Sequence, residues 1–218
     1  MYPIILTGAL AGVFHVLSGP DHLAAVAPLA LQDGRRAWFA GWTWGFGHAS
    51  GVVVVALLAI ALRDLLPPTD ILSAWGERVV GVALIAIGLW ALRRGLNIAP
   101  GEHLHGAVAH DHIHVHSGPA WTRRLGHAHA SFCMGILHGI AGSSHFFGVL
   151  PALALPTPGA AVEYIAAFGV GTVVAMTAFA ALMGSAGTRV HHRASLHRGM
   201  MLTAATLAIA VGGFWLVF

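Results

Sequence analysis

The residues best equipped for chemistry in this chain are histidines placed inside apolar sequence. His15, Asp21 and His22 share one apolar stretch, His48 lies in the next, and His138 and His145 share another far along the chain. Asp21 is the only acid well inside such a stretch, and a carboxylate there costs ~3 kcal/mol or more unless paired or ligated. Imidazole and carboxylate together suit divalent first-row metals, whereas thiolate-loving ions want more sulfur than Cys133 and Met134 supply. On an unbroken helix, positions seven apart share a face but sit about 10 Å apart along the axis, and Asp21 would point away. Ser18-Gly19-Pro20 relieves both problems. Gly permits a turn, Pro opens a new helix at its first position, and the carbonyls released at the break add oxygen atoms and negative potential. The expected centre is therefore a metal site built from His15, Asp21, His22, His48, His138 and His145.

A second group of histidines is different in kind. Segment 95–129 carries Glu102, His103, His105, His110, Asp111, His112, His114, His116, His127 and His129 in a polar, Gly-containing stretch. Its composition is that of a metal-binding tract without a packed core. His103, His105, His110, His112, His114 and His116 are expected to capture metal with interchangeable ligand sets and little discrimination. His191, His192 and His197 are expected on a solvated cytoplasmic face open to weak metal binding, and Trp38, Trp42 and Trp44 as interface anchors and packing.

The elements that must position these groups are membrane helices. Of 218 residues, 57% are hydrophobic and 9% charged, against roughly 25% charged in a soluble domain, and the mean hydropathy is +0.76. Disorder and an ordinary soluble enzyme are both excluded. Windows of ~20 apolar residues give an all-α membrane protein with six spans, near 3–31, 37–62, 71–92, 130–154, 159–184 and 199–218. The first and fourth are interrupted, by Ser18-Gly19-Pro20 and Gly142-Ser143-Ser144. Lysine is absent, and the eleven arginines cluster at the ends of apolar runs, which marks topology rather than nucleic-acid binding. Arg35, Arg36, Arg93, Arg94, Arg123, Arg124, Arg189, Arg193 and Arg198 fall on one side, Arg63 and Arg78 on the other. The positive-inside rule then puts the His-rich loop in the cytoplasm and both termini outside the cell (inner) membrane. The apolar run from Pro3 has no basic n-region or AxA-type site and is read as a span, not a leader. A single cysteine, Cys133, excludes an internal disulfide or CxxC pair.

The two halves also resemble each other. His15, Gly19, His22 and Pro28 recur as His138, Gly142, His145 and Pro151, an offset of 123 residues. Phe46-Gly47-His48 aligns with Phe168-Gly169-Val170, and Gly88-Leu-Trp90 with Gly213-Phe-Trp215. Three spans per repeat is odd, so the second repeat is expected upside down relative to the first, an arrangement many secondary transporters use. The expected organisation is residues 1–94 as the first three-helix repeat, 95–129 as the His-rich loop and 130–218 as the second repeat, with helices 1 and 4 broken.

At His15–His22 and Gly47-His48 the chain resembles the nickel/cobalt transporter family, most of all its six-helix branch with urease- and hydrogenase-associated membrane proteins. His15, Asp21 and His22 match that family's His–Asp-His motif, with a gap of five residues instead of four, and Gly47, His48 and Ser50 match its Gly-His-Ser type motif, the serine displaced by one. The resemblance implies a permease for divalent transition metals, nickel or cobalt foremost, with zinc or copper open, the ion being substrate and no cofactor permanently bound. It also implies a His-rich loop able to collect metal. The expected partners are those ions and the lipid bilayer, with a homo-oligomer left open. An intramembrane zinc-dependent or serine hydrolase is the rival, since three histidines and an aspartate can hold Zn²⁺ with an open position; however, no GxSxG elbow is present.

Overall fold

The computed structural model describes residues 2–62, 70–98, 102–105, 108–111, 120–141 and 150–217. The chain runs through α1 (Tyr2–Ser18), α2 (Pro20–Asp33), a 3-10 turn (Gly34–Arg36), α3 (Ala37–Leu62) and α4 (Asp70–Leu96). A small hairpin, β1 (Glu102–His105) and β2 (Val108–Asp111), precedes α5 (Ala120–Ala141), α6 (Pro158–Val190) and α7 (Ala194–Val217). Among the described residues, four stretches are long and apolar enough to cross a membrane: Pro20–Leu58, Glu77–Leu96, Pro158–Val190 and Ala194–Val217. Pro3–Ser18 is a shorter apolar helix.

The radial distribution of residue types fits lipid rather than water. Large apolar side chains face outward, with Phe14 72% and Leu182 70% exposed, while His15, Asp21, His22, His48, His138 and Thr172 are buried. Lipid tails are as apolar as Leu, so helices gain by close backbone packing and internal polar contacts instead of by hiding Leu. Glycines provide that approach. A side chain on Gly12 of α1 would strike the Phe168 carbonyl and Thr172 amide of α6, and one on Gly135 of α5 would strike the Trp44 carbonyl and His48 amide of α3. Likewise Gly47 abuts the Phe132 carbonyl, and Gly171 the Ala9 carbonyl. Gly81 of α4 and Gly212 of α7 each face the other's carbonyl.

Three local expectations change. Helix α5 starts at Ala120, so residues 120–129, read as linker, are helical; Ala, Arg and Leu there propagate a helix despite the polar composition. His127 and His129 therefore sit on α5. The hairpin sets His103 opposite His110 and Glu102 opposite Asp111, giving part of the tract regular backbone. Gly171, not Gly169, lies against a neighbouring backbone as Gly47 does, since Gly169 meets only the Ala49 side chain.

Among the described residues, one backbone position demands glycine on conformational grounds. Gly34 ends α2 at φ 56°, and its nearest neighbour is Thr188 Cγ2 of α6. An L side chain in that region costs about 1–2 kcal/mol. Gly34→Ala should therefore lower the thermal unfolding midpoint of the detergent-solubilised protein, and an unchanged midpoint would refute the left-handed turn.

Candidate metal centre

The break between α1 and α2 builds the centre. Gly19 is non-helical (φ −89°, ψ 101°) and Pro20 opens α2. The Gly19 amide donates to the His15 carbonyl (3.1 Å), and the His22 amide donates to the Gly19 carbonyl (3.2 Å), so few backbone groups are left unbonded across the break. A side chain at Gly19 would strike His22 Nδ1 and Asp21 Oδ1; the glycine leaves room for that pair. Asp21 lies in the first turn of α2, where the helix dipole favours a carboxylate, and His15 in the last turn of α1, whose negative end favours a cation.

Asp21 holds two histidines. Its Oδ1 lies 3.0 Å from His22 Nδ1 and its Oδ2 3.1 Å from His138 Nε2. His48 arrives from α3 and His138 from α5, on helices held together by the Gly47 and Gly135 contacts. Ring centres are 4.6 Å apart for His15–His22, 4.8 Å for His22–His48, 5.5 Å for His15–His48 and 4.6 Å for His22–His138. Two overlapping sets could hold an ion, His15–His22–His48 and Asp21–His22–His138, each with ligand atoms within 4.8 Å of one another. With Nδ1 of His22 on the carboxylate, Nε2 is the nitrogen available to a metal in the first set. Carboxylate-backed histidines of this kind are the usual way a ring is oriented for ligation.

Five of the six expected central residues thus converge. His145 and the Gly142-Ser143-Ser144 break lie outside the described residues, as do His112, His114 and His116. His103, His105 and His110 are described as backbone only. The expectation of a solvated His197 is wrong: it is 7% exposed, because the first turn of α7 buries Ala194, His197 and Met201 on one face. Phe168 and Trp44, to which the sequence reading gave no place at the centre, form its walls. Phe168 lies 5.4 Å from the His15 ring and Trp44 lies 6.4 Å from that of His138. Trp44 precedes His48 by one helical turn, a spacing that marks a shared face.

Fold and site together define a helical membrane protein with a buried His/Asp cluster at a helix break. No family model matches the chain, and no solved structure matches it. It is 38% identical over 182 residues to Chloroplast protein FOR GROWTH AND FERTILITY 1 of Arabidopsis thaliana (82% of this chain, 49% of that protein). Chloroplast protein FOR GROWTH AND FERTILITY 2 of the same plant is 33% identical over 207 residues (94% and 53%). The chain spans about half the length of these two relatives. It is also similar to the urease accessory protein UreH of Bacillus sp. (strain TB-90), 28% identical over 215 residues, 96% of this chain and 88% of that protein.

Proposed function

We propose that the chain is a permease for divalent transition-metal cations, nickel or cobalt foremost, of the nickel/cobalt transporter type. The observation that carries this reading is the clustering of four imidazoles, two of them in contact with one carboxylate, at a helix break inside an apolar bundle. Likeness to a protein named for urease accessory function agrees with the branch that the His15–His22 and Gly47-His48 motifs resemble. In this reading His15, His22 and His48 bind the ion, Asp21 orients His22 and offsets charge, and His138 brings the second half to the same carboxylate. His145 completes the site from the second break. The hydrolase alternative has no supporting observation.

A six-helix layout of two inverted repeats, with 95–129 as the connecting loop, belongs to the same proposal. In its favour, Gly12 meets α6 as Gly135 meets α3, and Ala9 meets Gly171 as Phe132 meets Gly47, each first-half residue of α1 lying 123 positions before its counterpart in α5. The proposed halves are not equivalent at the centre, because Thr172 holds the place that His48 holds. The cell-membrane location, with both termini outside and the loop in the cytoplasm, rests on the nine-to-two arginine split.

The test is the content of Mn, Fe, Co, Ni, Cu and Zn in cells with and without the protein. A change centred on Ni or Co is expected, and no change in any metal overturns the reading. The loop's role is separable. Deleting residues 103–116 should raise the metal concentration needed for half-maximal transport and leave selectivity unaltered, because interchangeable imidazoles capture without a fixed geometry. Transport abolished at saturating metal would instead make the loop part of the pathway.

A further inference from the structure

A second group of imidazoles lies at the turn between α6 and α7. The chain leaves α6 at Val190, passes His191 and His192, and enters α7 at Ala194. His191 and His192 are exposed, whereas His197, on the first turn of α7, is 7% exposed. The His197 ring lies near the Gly187 backbone, and its Nδ1 is buried with no hydrogen-bond partner. A neutral imidazole presents a lone pair on one ring nitrogen, and a buried ring nitrogen with no protein partner is a candidate for metal ligation.

The second ligand is in place. The His191 ring centre lies 5.5 Å from that of His197, the separation also found for His15–His48 and His48–His138 in the central cluster. Two imidazoles sharing a first-row ion at about 2.0–2.1 Å per bond place their ring centres roughly 5–6 Å apart. Leu31 of α2 lies against Gly187, and the following residue, Gln32, carries a buried amide oxygen without a partner. That oxygen is a donor of a suitable kind at the same end of the bundle. Gln32 stands about 17 Å along α2 from Asp21, so this place is separate from the centre.

We propose that His191 and His197 form a second site for a divalent transition-metal ion, with water completing the shell. The exposed His191 receives the ion and the buried His197 fixes it. The site stands on its own geometry and takes from the transporter reading only the kind of ion that reaches it.

Zn²⁺ is the probe, since it takes imidazole nitrogen and has no redox chemistry. Equilibrium dialysis of the purified full chain counts tightly held Zn²⁺ in the parent, in His191→Ala, in His197→Gln and in the double variant. Each single variant should lose one equivalent, and the double variant should lose that same one and no more. Shared loss of this kind separates one two-histidine site from independent weak binding along the loop. His197→Gln keeps a polar side chain of similar length, so its thermal unfolding should match the parent while the zinc is lost. An unchanged count in both single variants, or losses that add in the double variant, overturns the second site. Failure of cells to change their metal content would overturn the transporter reading and leave this count as it stands.

Discussion

Asp21→Asn should weaken Ni²⁺ or Co²⁺ binding at the centre about 10–100-fold, the usual cost of losing a carboxylate behind a ligating histidine, and reduce transport to the level of cells lacking the protein. The argument rests on what an amide cannot do. The carboxylate shares a hydrogen bond with His22 Nδ1 at 3.0 Å through one oxygen, and its other oxygen lies 3.1 Å from His138 Nε2 as an ion-pair contact. Asn offers one accepting oxygen and one donating NH₂, so one of the two rings must change its tautomer or lose its partner. If that ring is His22, the proton moves to Nε2, the nitrogen meant for the metal. The substitution also removes the only negative charge among these side chains, in a low-dielectric interior that makes an unbalanced divalent ion costly. Shape is nearly conserved, so the variant should elute and unfold like the parent. Parent-like affinity in a folded Asp21→Asn protein would show that the carboxylate neither orients nor balances the site.

Gly135→Leu should remove most folded protein. Gly135 abuts the Trp44 carbonyl and the His48 amide, both backbone, and neither can rotate aside as a side chain would. Overpacking typically costs about 1–3 kcal/mol and occasionally more, and a backbone obstacle puts this site at the top of that range. Forcing α3 from α5 also separates His48 and His138, whose ring centres are 5.5 Å apart. Any Gly135→Leu protein that survives should therefore bind metal poorly. Gly213 on α7 has open space around it, so Gly213→Leu is the matched control and should elute and unfold as the parent does. Equal yields and unfolding midpoints for the two variants would mean that the α3–α5 contact is looser than the packing shows.

Much of the centre was legible before folding because its signals are local. Proline cannot continue a helix hydrogen-bond ladder and glycine can leave it, so Ser18-Gly19-Pro20 announces the break whatever surrounds it. A carboxylate in an apolar run must find partners, so Asp21 pointed to histidines before any helix was placed beside another. Composition likewise announced membrane helices, because the cost of charge in lipid empties whole windows of it.

The sequence by itself therefore determined the membrane class, the position of the break between α1 and α2, and the residue types that meet there. Tertiary structure decided which faces meet. It set Gly47 and Gly171 each against a neighbouring backbone, set Phe168 and Trp44 as walls of the centre, carried α5 back to Ala120, and buried His197 beside Gly187. The reason is that a helix crossing lipid is apolar around most of its circumference, so polarity leaves no stripe to say which side faces protein. The choice falls to small residues and single hydrogen bonds, and these acquire meaning only when a neighbouring backbone lies against them.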